Sequence, residues 1–289
     1  MTLYMTIRPS HASKLQGIIT LHPGCAPLER TAHGRPIKST TMDMEGYYRE
    51  VKEVALEGFK RINGTTEVEH RLWEVPVGSW EVHVVRGKVL EKATLSRIRF
   101  TAKNPYTGED TRLDVVQAKA YPVSPRIPIL LFNVENRTTE EDHLAGFLDV
   151  IPVTPCEEDI QFLAVEMKKV TTRHGEDYEA LRRKIENMYK MDHWEKPLNA
   201  AAGIRLELGK EQFDLVKEAG VEWINSYFTI VEKREKEHYN KKEITLRDSF
   251  RTRIVEYYIL GDVSIRVALK QGIPLTAMAL GTFAPTLRY

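Results

Sequence analysis

Between His70 and Asn136 the chain passes through five short stretches rich in β-branched and aromatic residues, "HRLWEV", "WEVHVVRG", "LSRIRFTA", "RLDVVQAKAY" and "PILLFNVEN". No helical pattern interrupts them. Parallel strands need long crossovers, so strands that follow one another this closely predict an antiparallel sheet. Asn104-Pro105 and Thr107-Gly108 punctuate the run as hairpin connections would. The last stretch has an unusual lead-in, because Pro122, Pro125 and Pro128 recur at a spacing of three in "AYPVSPRIPILLFNVEN". Proline fixes φ and removes a backbone donor, which predicts an extended segment that joins the sheet only after Pro128.

Helical periodicity surrounds this block. "EGYYREVKEVALEGFKRING" sets Tyr48, Val51, Val54, Ala55, Leu56 and Phe59 on one stripe and stops at Asn63-Gly64. "EEDIQFLAVEMKKVTT" opens with acids, closes with lysines and carries Ile160, Leu163, Ala164 and Met167 on its apolar side. After His174-Gly175, "EDYEALRRKIENMYKM" repeats the pattern with Tyr178, Leu181, Ile185 and Met188. "AAAGIRLEL" then predicts a strand, "KEQFDLVKEAGVEWINSYFTIVEKREKEHYN" a long helix or a broken pair, and "ITLRDSFRTRIVEYYILGD" a helix that runs into a strand. The expected fold is α+β, a large antiparallel sheet flanked by helices, in a single domain over 44–289 behind an N-terminal arm or leader over 1–43.

With 42 Lys and Arg against 41 Asp and Glu, the formal net charge is +1, so no global field points toward nucleic acid or an anionic membrane. No apolar run approaches the roughly 18 residues of a bilayer span, and a soluble, cytoplasmic protein is expected. Arg8, Lys14, Arg30, Arg35 and Lys38 face only Glu29 in the first forty residues, a bias that resembles a weak organelle-targeting leader. Cys25 and Cys156 suit a reduced compartment better than a disulfide framework. His11, His22, Cys25 and His33 are too irregularly spaced for a metal signature, and no metal is expected.

A Gly-rich phosphate loop, HExxH, a nucleophile elbow and paired CxxC are all absent. Ionisable residues within apolar surroundings therefore become the candidates, since burial shifts proton affinity. Glu135, Asp149, Glu256 and Asp262 stand out, with a salt bridge or a cap as the structural alternative for each. His193, beside Trp194, is a candidate proton carrier or a helix-end histidine. Tyr257 and Tyr258 would face opposite ways on a strand, so one of them could line a pocket.

The C-terminal third resembles the oxygen-dependent coproporphyrinogen III oxidases, whose SYxPIVERR helix and RYVEFNLVYDRG strand are similar to "SYFTIVEKREKEHYNKKEITLRDSFRTRIVEYYILGD" here. Ser226, Tyr227, Ile230, Val231, Glu232, Arg234, Tyr239, Arg253, Val255, Glu256 and Asp262 fall where the family has the same residues. "VLEKATLSRIRF" is similar to VFEKAGVNxSxVxG, "LDVIPVTPCEEDIQFL" to GGGxDLTPYYxxEEDAxxFH, and "YPVSPRIPILLFNVE" to HPRNPxVPTVHxNYR, which retains the three prolines and Asn133. The family's two histidines become Tyr121 and Leu131, the arginine after the asparagine becomes Glu135, and HRGERRG becomes "HWEKPLN" around His193. Val263 and Pro274 replace further arginines, and Ala145, Gly146, Phe147 and Leu148 replace a glycine run.

In the family those arginines hold the carboxylates of a tetra-anionic substrate, so the resemblance implies an inherited scaffold with a changed ligand. It implies a homodimer and a small-molecule substrate, mostly apolar or aromatic, handled with no metal or organic cofactor, molecular oxygen being a possible co-substrate. The reaction would be oxidation with decarboxylation, or an acid–base rearrangement or cyclisation. Asp149, Tyr121, His193 and Glu135 would be catalytic, with Glu135 and Asp149 an acid–base pair if they converge. Asn133, Leu131, Phe147, Glu256, Tyr258, Asp262 and Trp194 would bind substrate. The alternatives are a true coproporphyrinogen III oxidase using Arg126, Arg137 or Arg205 as replacement anchors, and a binding protein without catalysis.

Overall fold

Period-two alternation over two buried faces sets the architecture. The computed structural model describes residues 42–103, 110–138, 142–186, 188–198 and 201–285. Among them, seven strands follow chain order through one antiparallel sheet: β1 (Glu69–Val75), β2 (Gly78–Val85), β3 (Leu90–Lys103), β4 (Asp110–Pro122), β5 (Ile129–Thr138), β6 (Asp142–Ile151) and β7 (Ile204–Gly209). The helices are α1 (Met44–Asn63), α2 (Glu157–Arg173), α3 (Tyr178–Arg183), α4 (Phe213–Arg234), α5 (Lys241–Leu260), α6 (Val263–Lys270) and α7 (Leu275–Gly281). The expected α+β class with a large antiparallel sheet is what the chain forms. The arm with its histidines and Cys25, and the hairpin signals at Asn104-Pro105 and Thr107-Gly108, lie outside the described residues.

One sheet face is mostly apolar over β4 to β6. Leu95, Val116, Ala118, Leu130, Phe132, Val134 and Leu148 pack with α1, α2 and α4 in a single core. Asp43 caps α1 by accepting from the Gly46 amide at 2.7 Å, and Gly64 ends it at φ 60°, as Asn63-Gly64 predicted. The other face packs under α5 to α7, with Tyr121, Leu131, Phe147 and Ile151 meeting Tyr258, Ile265 and Met278.

Two expectations change. Residues 253–260 are not a strand, because α5 continues unbroken to Leu260. Asn240 accepts from the Lys242 and Glu243 amides while Glu243 reaches back to the Asn240 amide, and no Gly or Pro follows to stop the helix before Gly261. The third predicted helix ends early, at Arg183, although Leu181 and Ile185 are buried as expected. Of the two readings for the segment after β7, the long helix holds, as α4.

The proline-led stretch is likewise not an extended lead-in. Pro122 ends β4, residues 123–127 turn, with the Ile127 amide donating to the Ser124 carbonyl, and β5 begins at Ile129. Its carbonyls anchor α5: the Arg251 guanidinium donates to Pro122 O at 2.8 Å and Arg247 to Val123 O. Arg251 is fully buried and also pairs with Glu91 at 2.8 Å. A donor-poor turn thus presents acceptors to the helix that covers the second face.

Candidate functional site

The strand register places the second face's side chains in rows. Thr94, Lys119, Leu131 and Asp149 are successive cross-strand partners, and Ser96, Gln117, Asn133, Phe147 and Arg205 form the next row. Ser96, Gln117, Lys119, Asn133 and Asp149 are all buried. Among the described residues no hydrogen-bond partner meets Ser96 Oγ, Gln117 Nε2, Asn133 Oδ1 or the hydroxyl of Tyr258. Buried polar groups are normally satisfied, so open valences gathered in adjacent rows mark this as the candidate binding surface.

Asp149 closes the first row at its β6 end. It is 0 % exposed, and burial raises its carboxyl to about 8, with the Val150, Ala201 and Gly203 amides and the Tyr189 hydroxyl near enough to hold the rise down in part. Gly203 makes room for it, since a Cβ there would stand 2.4 Å from Asp149 Oδ1. Gly146 serves the same strand at φ 135°, where a Cβ would lie 2.1 Å from the Asn133 carbonyl oxygen. Around the acid, Phe147 meets Tyr189 edge-on at 5.9 Å, Tyr189 meets Tyr257 at 5.3 Å, and Tyr257 meets Tyr258 at 5.9 Å. Because 257 and 258 lie on a helix rather than a strand, both reach this aromatic wall.

Lys119 is the cation of the face. Burial lowers its ammonium to about 7, and Asp262 is its charged neighbour. Its Nζ donates to Gln117 Oε1 at 2.9 Å and Thr282 Oγ1 at 3.4 Å, and lies 4.2 Å from the centre of the Tyr258 ring. Lys92, also lowered to about 7 by burial, donates to the carbonyls of Ala279 at 2.7 Å and Phe283 at 2.6 Å. Thr94 donates to Gly281 O at 2.8 Å. These bonds satisfy the last carbonyls of α7 and tie the cover to the sheet.

Several predicted site residues fall elsewhere. Tyr121 is buried on the same face as Lys119, and its hydroxyl donates to Thr282 O at 2.5 Å, so it caps α7 with Lys92 and Thr94. Glu135 does not converge with Asp149. It lies four residues along β5 from Leu131, the partner of Asp149, which is roughly 13 Å of strand. Its carboxylate pairs with Arg137, and burial raises its proton affinity, with Asp262 and Arg205 as further charged neighbours.

His193, Trp194 and Glu256 gather on the outer side of α5. Glu256 accepts from Trp194 Nε1 at 2.8 Å and contacts His193 Nε2 at 2.6 Å, and Arg253 stacks 4.4 Å from the Trp194 ring. This cluster borders a surface depression lined by His193, Trp194, Glu195, Lys196 and Arg253, and the His193 side chain is 55 % exposed. Residues 256 and 258 are about 200° apart around a helix, so Tyr258 points inward where Glu256 points out. Asp262 stays with the inner set, as the charged neighbour of Lys119, Glu135, Tyr257 and Tyr258, and accepts from the Ile265 amide at 3.2 Å.

The residues that sequence reasoning passed over are Ser96, Gln117, Lys119, Lys92 and Tyr189. The signal was present in "RLDVVQAKAY": Gln117 and Lys119 alternate with Val116, Ala118 and Ala120 in a strand apolar enough to be buried on both sides. Arg126, Arg137 and Arg205, the proposed replacement anchors, each face an acid of the chain: Glu243 at 2.9 Å, Glu135, and Glu207 at 2.9 Å.

Comparison with known proteins agrees with the fold and the motifs. The chain is 22 % identical over 255 residues to an oxygen-dependent coproporphyrinogen-III oxidase of Coxiella burnetii, covering 78 % of this chain and 80 % of that protein. In fold it is similar to phytochromobilin synthase from tomato, solved in complex with biliverdin, with TM-score 0.55, 11 % identity and 81 % of each chain covered. The family model for coproporphyrinogen III oxidase matches residues 43–284. From Asp43, the cap of α1, to Ala284 after α7, the chain belongs to the coproporphyrinogen III oxidase family.

Proposed function

We propose that this protein is a diverged enzyme of the family that takes a mostly apolar or aromatic small molecule between the second sheet face and α5 to α7, with Asp149 as its acid–base group. The carrying observation is a fully buried carboxyl whose proton affinity burial raises into the neutral range, beside an aromatic wall of Tyr189, Tyr257 and Tyr258. Near neutral pH Asp149 is largely protonated and Lys119 is poised between its two forms. Groups with proton affinities this close to the working pH exchange protons efficiently with a bound molecule. Asp149 would donate to the substrate and recover the proton as carboxylate. Lys119 and the open valences of Gln117 and Asn133 would orient a single polar substituent. Oxidation with decarboxylation, molecular oxygen being the co-substrate, and a proton-driven rearrangement or cyclisation both suit this arrangement, and neither calls on a metal or organic cofactor.

The relatives, one named for coproporphyrinogen oxidation and one solved with biliverdin, support a small-molecule substrate. The committed arginines argue for a ligand with few carboxylates. Because the polar face lies under α5 to α7, admission of a ligand requires this cover to shift. A second reading, turnover of coproporphyrinogen itself, draws on Lys92 and Lys119 as buried cations in place of arginines.

The test adds reduced coproporphyrinogen III anaerobically, then air, with chromatographic detection of oxidised porphyrins, beside thermal-shift screening of uncharged aromatic compounds. The expected result is no vinyl-bearing product above the protein-free control while an active family member yields it, and stabilisation by uncharged ligands that Asp149→Asn turns over poorly. Vinyl-bearing product would establish the second reading. Stabilisation without turnover by the wild type would establish binding without catalysis.

A further inference from the structure

On the opposite side of the sheet from Asp149, the edge strand β1 and its neighbour β2 bring two imidazoles and a carboxylate together. His70 and His83 are direct cross-strand partners, and Glu81 lies two residues before His83 on the same face. The rings stack with centroids 4.4 Å apart. His70 Nε2 is 3.1 Å and His83 Nε2 3.5 Å from Glu81 Oε1, and one ligand atom from each of the three lies within 4.8 Å of the others. A tetrahedron with arms of about 2.0–2.1 Å has edges of roughly 3.3 Å, so the two imidazole–carboxylate edges already match a zinc-sized ion.

We propose that His70, His83 and Glu81 form a binding site for a divalent transition-metal ion, Zn2+ in the first instance, that staples the edge strand β1 to β2. Two imidazoles and one carboxylate leave a fourth position for water, the ligand set such ions accept. Burial is graded suitably: His83 is buried, Glu81 half-buried, and the His70 side chain 51 % exposed, which gives the ion a path from solvent. Lys52, reaching over from α1, holds its Nζ 3.6 Å from Glu81 Oε1 and competes with the cation for that carboxylate. Its side chain is 35 % exposed, long and free to swing away. The site is separate from the acid–base face, so occupancy stabilises the fold and leaves turnover alone.

The experiment takes the full chain, strips it with chelator, and titrates it with Co2+ followed by optical absorption, then with Zn2+ in competition and by thermal melting. One equivalent of Co2+ with a low-coordinate ligand-field spectrum, displaced by Zn2+, is expected, together with a Zn2+-dependent rise in melting temperature. His70→Ala, at an exposed position where folding is not at risk, weakens binding by at least about tenfold, since even outer-shell changes cost that much. Lys52→Ala tightens it, a gain that no nonspecific site produces. Wild-type affinity retained by His70→Ala or by the His70→Ala, His83→Ala double variant, or no binding by the wild type up to roughly 0.1 mM ion, overturns the proposal.

Discussion

The two faces of one sheet differ in chemistry at equal burial. On β4 and β5, Val116, Ala118, Ala120, Leu130, Phe132 and Val134 point one way into an apolar core, while Gln117, Lys119, Leu131, Asn133 and Glu135 point the other way, equally shielded from water. The apolar side supplies cohesion, because each buried carbon there is matched by another. The polar side gives up cohesion for groups whose hydrogen bonds are left open and whose proton affinities move toward neutrality. Cohesion and the proposed site thus occupy alternate residues of the same strands.

The contrast can be broken at its strongest point with Asp149→Asn, which removes the titrating group and keeps its shape. Turnover is expected to fall by about 10²–10⁴-fold while the melting temperature holds or rises, measured on the substrate found by the ligand screen. Phe132→Ala, across the sheet, should do the reverse. It is fully buried, and its truncation is expected to cost about 3–5 kcal/mol in denaturant unfolding.

The pH dependence of stability sharpens the comparison, since Asp149 and Lys119 both lie on the polar face. Asp149 ordinarily titrates near 3.8 and is raised to about 8, so the folded state holds a proton that the unfolded chain has released across that window. Its contribution is complete below the lower value and is lost as pH rises through about 8. Relative to wild type, Asp149→Asn therefore gains stability, by several kcal/mol in all, as pH climbs from 4 to 8. Lys119 behaves oppositely. Its folded value is depressed from 10.5 to about 7, so stability is lost as pH falls from 10.5 through 7, and the advantage of Lys119→Met shrinks as pH rises across that range. Urea midpoints against pH for the three proteins check both signs.

The smallest effect is expected at His193. Its ring sits with Glu256 on the outer side of α5, and exposed pairs of this kind contribute under about 1 kcal/mol. His193→Ala should change the melting temperature little and turnover less than about twofold. A hundredfold loss of activity would return the outer cluster to the site.

Much of this was legible locally. The five strands announced themselves through β-branched and aromatic runs, α1 through its stripe and Asn63-Gly64, and Asp149 as an acid within an apolar strand. The segment at 253–260 misled because Ile254, Val255, Tyr257 and Tyr258 favour strands by propensity, whereas the Asn240–Glu243 cap and the Arg247 and Arg251 anchors commit it to helix. Lys119 was overlooked because a lysine is usually read as solvated, and only the cover of α5 to α7 makes it buried.

The amino-acid sequence by itself determined which residues alternate and where chains of hydrogen bonds begin and end, since periodicity and capping act over a few residues. Only the tertiary structure decided which alternate set meets the cover, that Asp149 joins Lys119, Tyr189 and Tyr258 while His193 and Glu256 turn outward, and that Glu135 pairs with Arg137. Those outcomes depend on contacts between residues up to more than a hundred positions apart, such as Arg247 with Val123, and the pattern of a single strand or helix does not encode which distant surface will close over it.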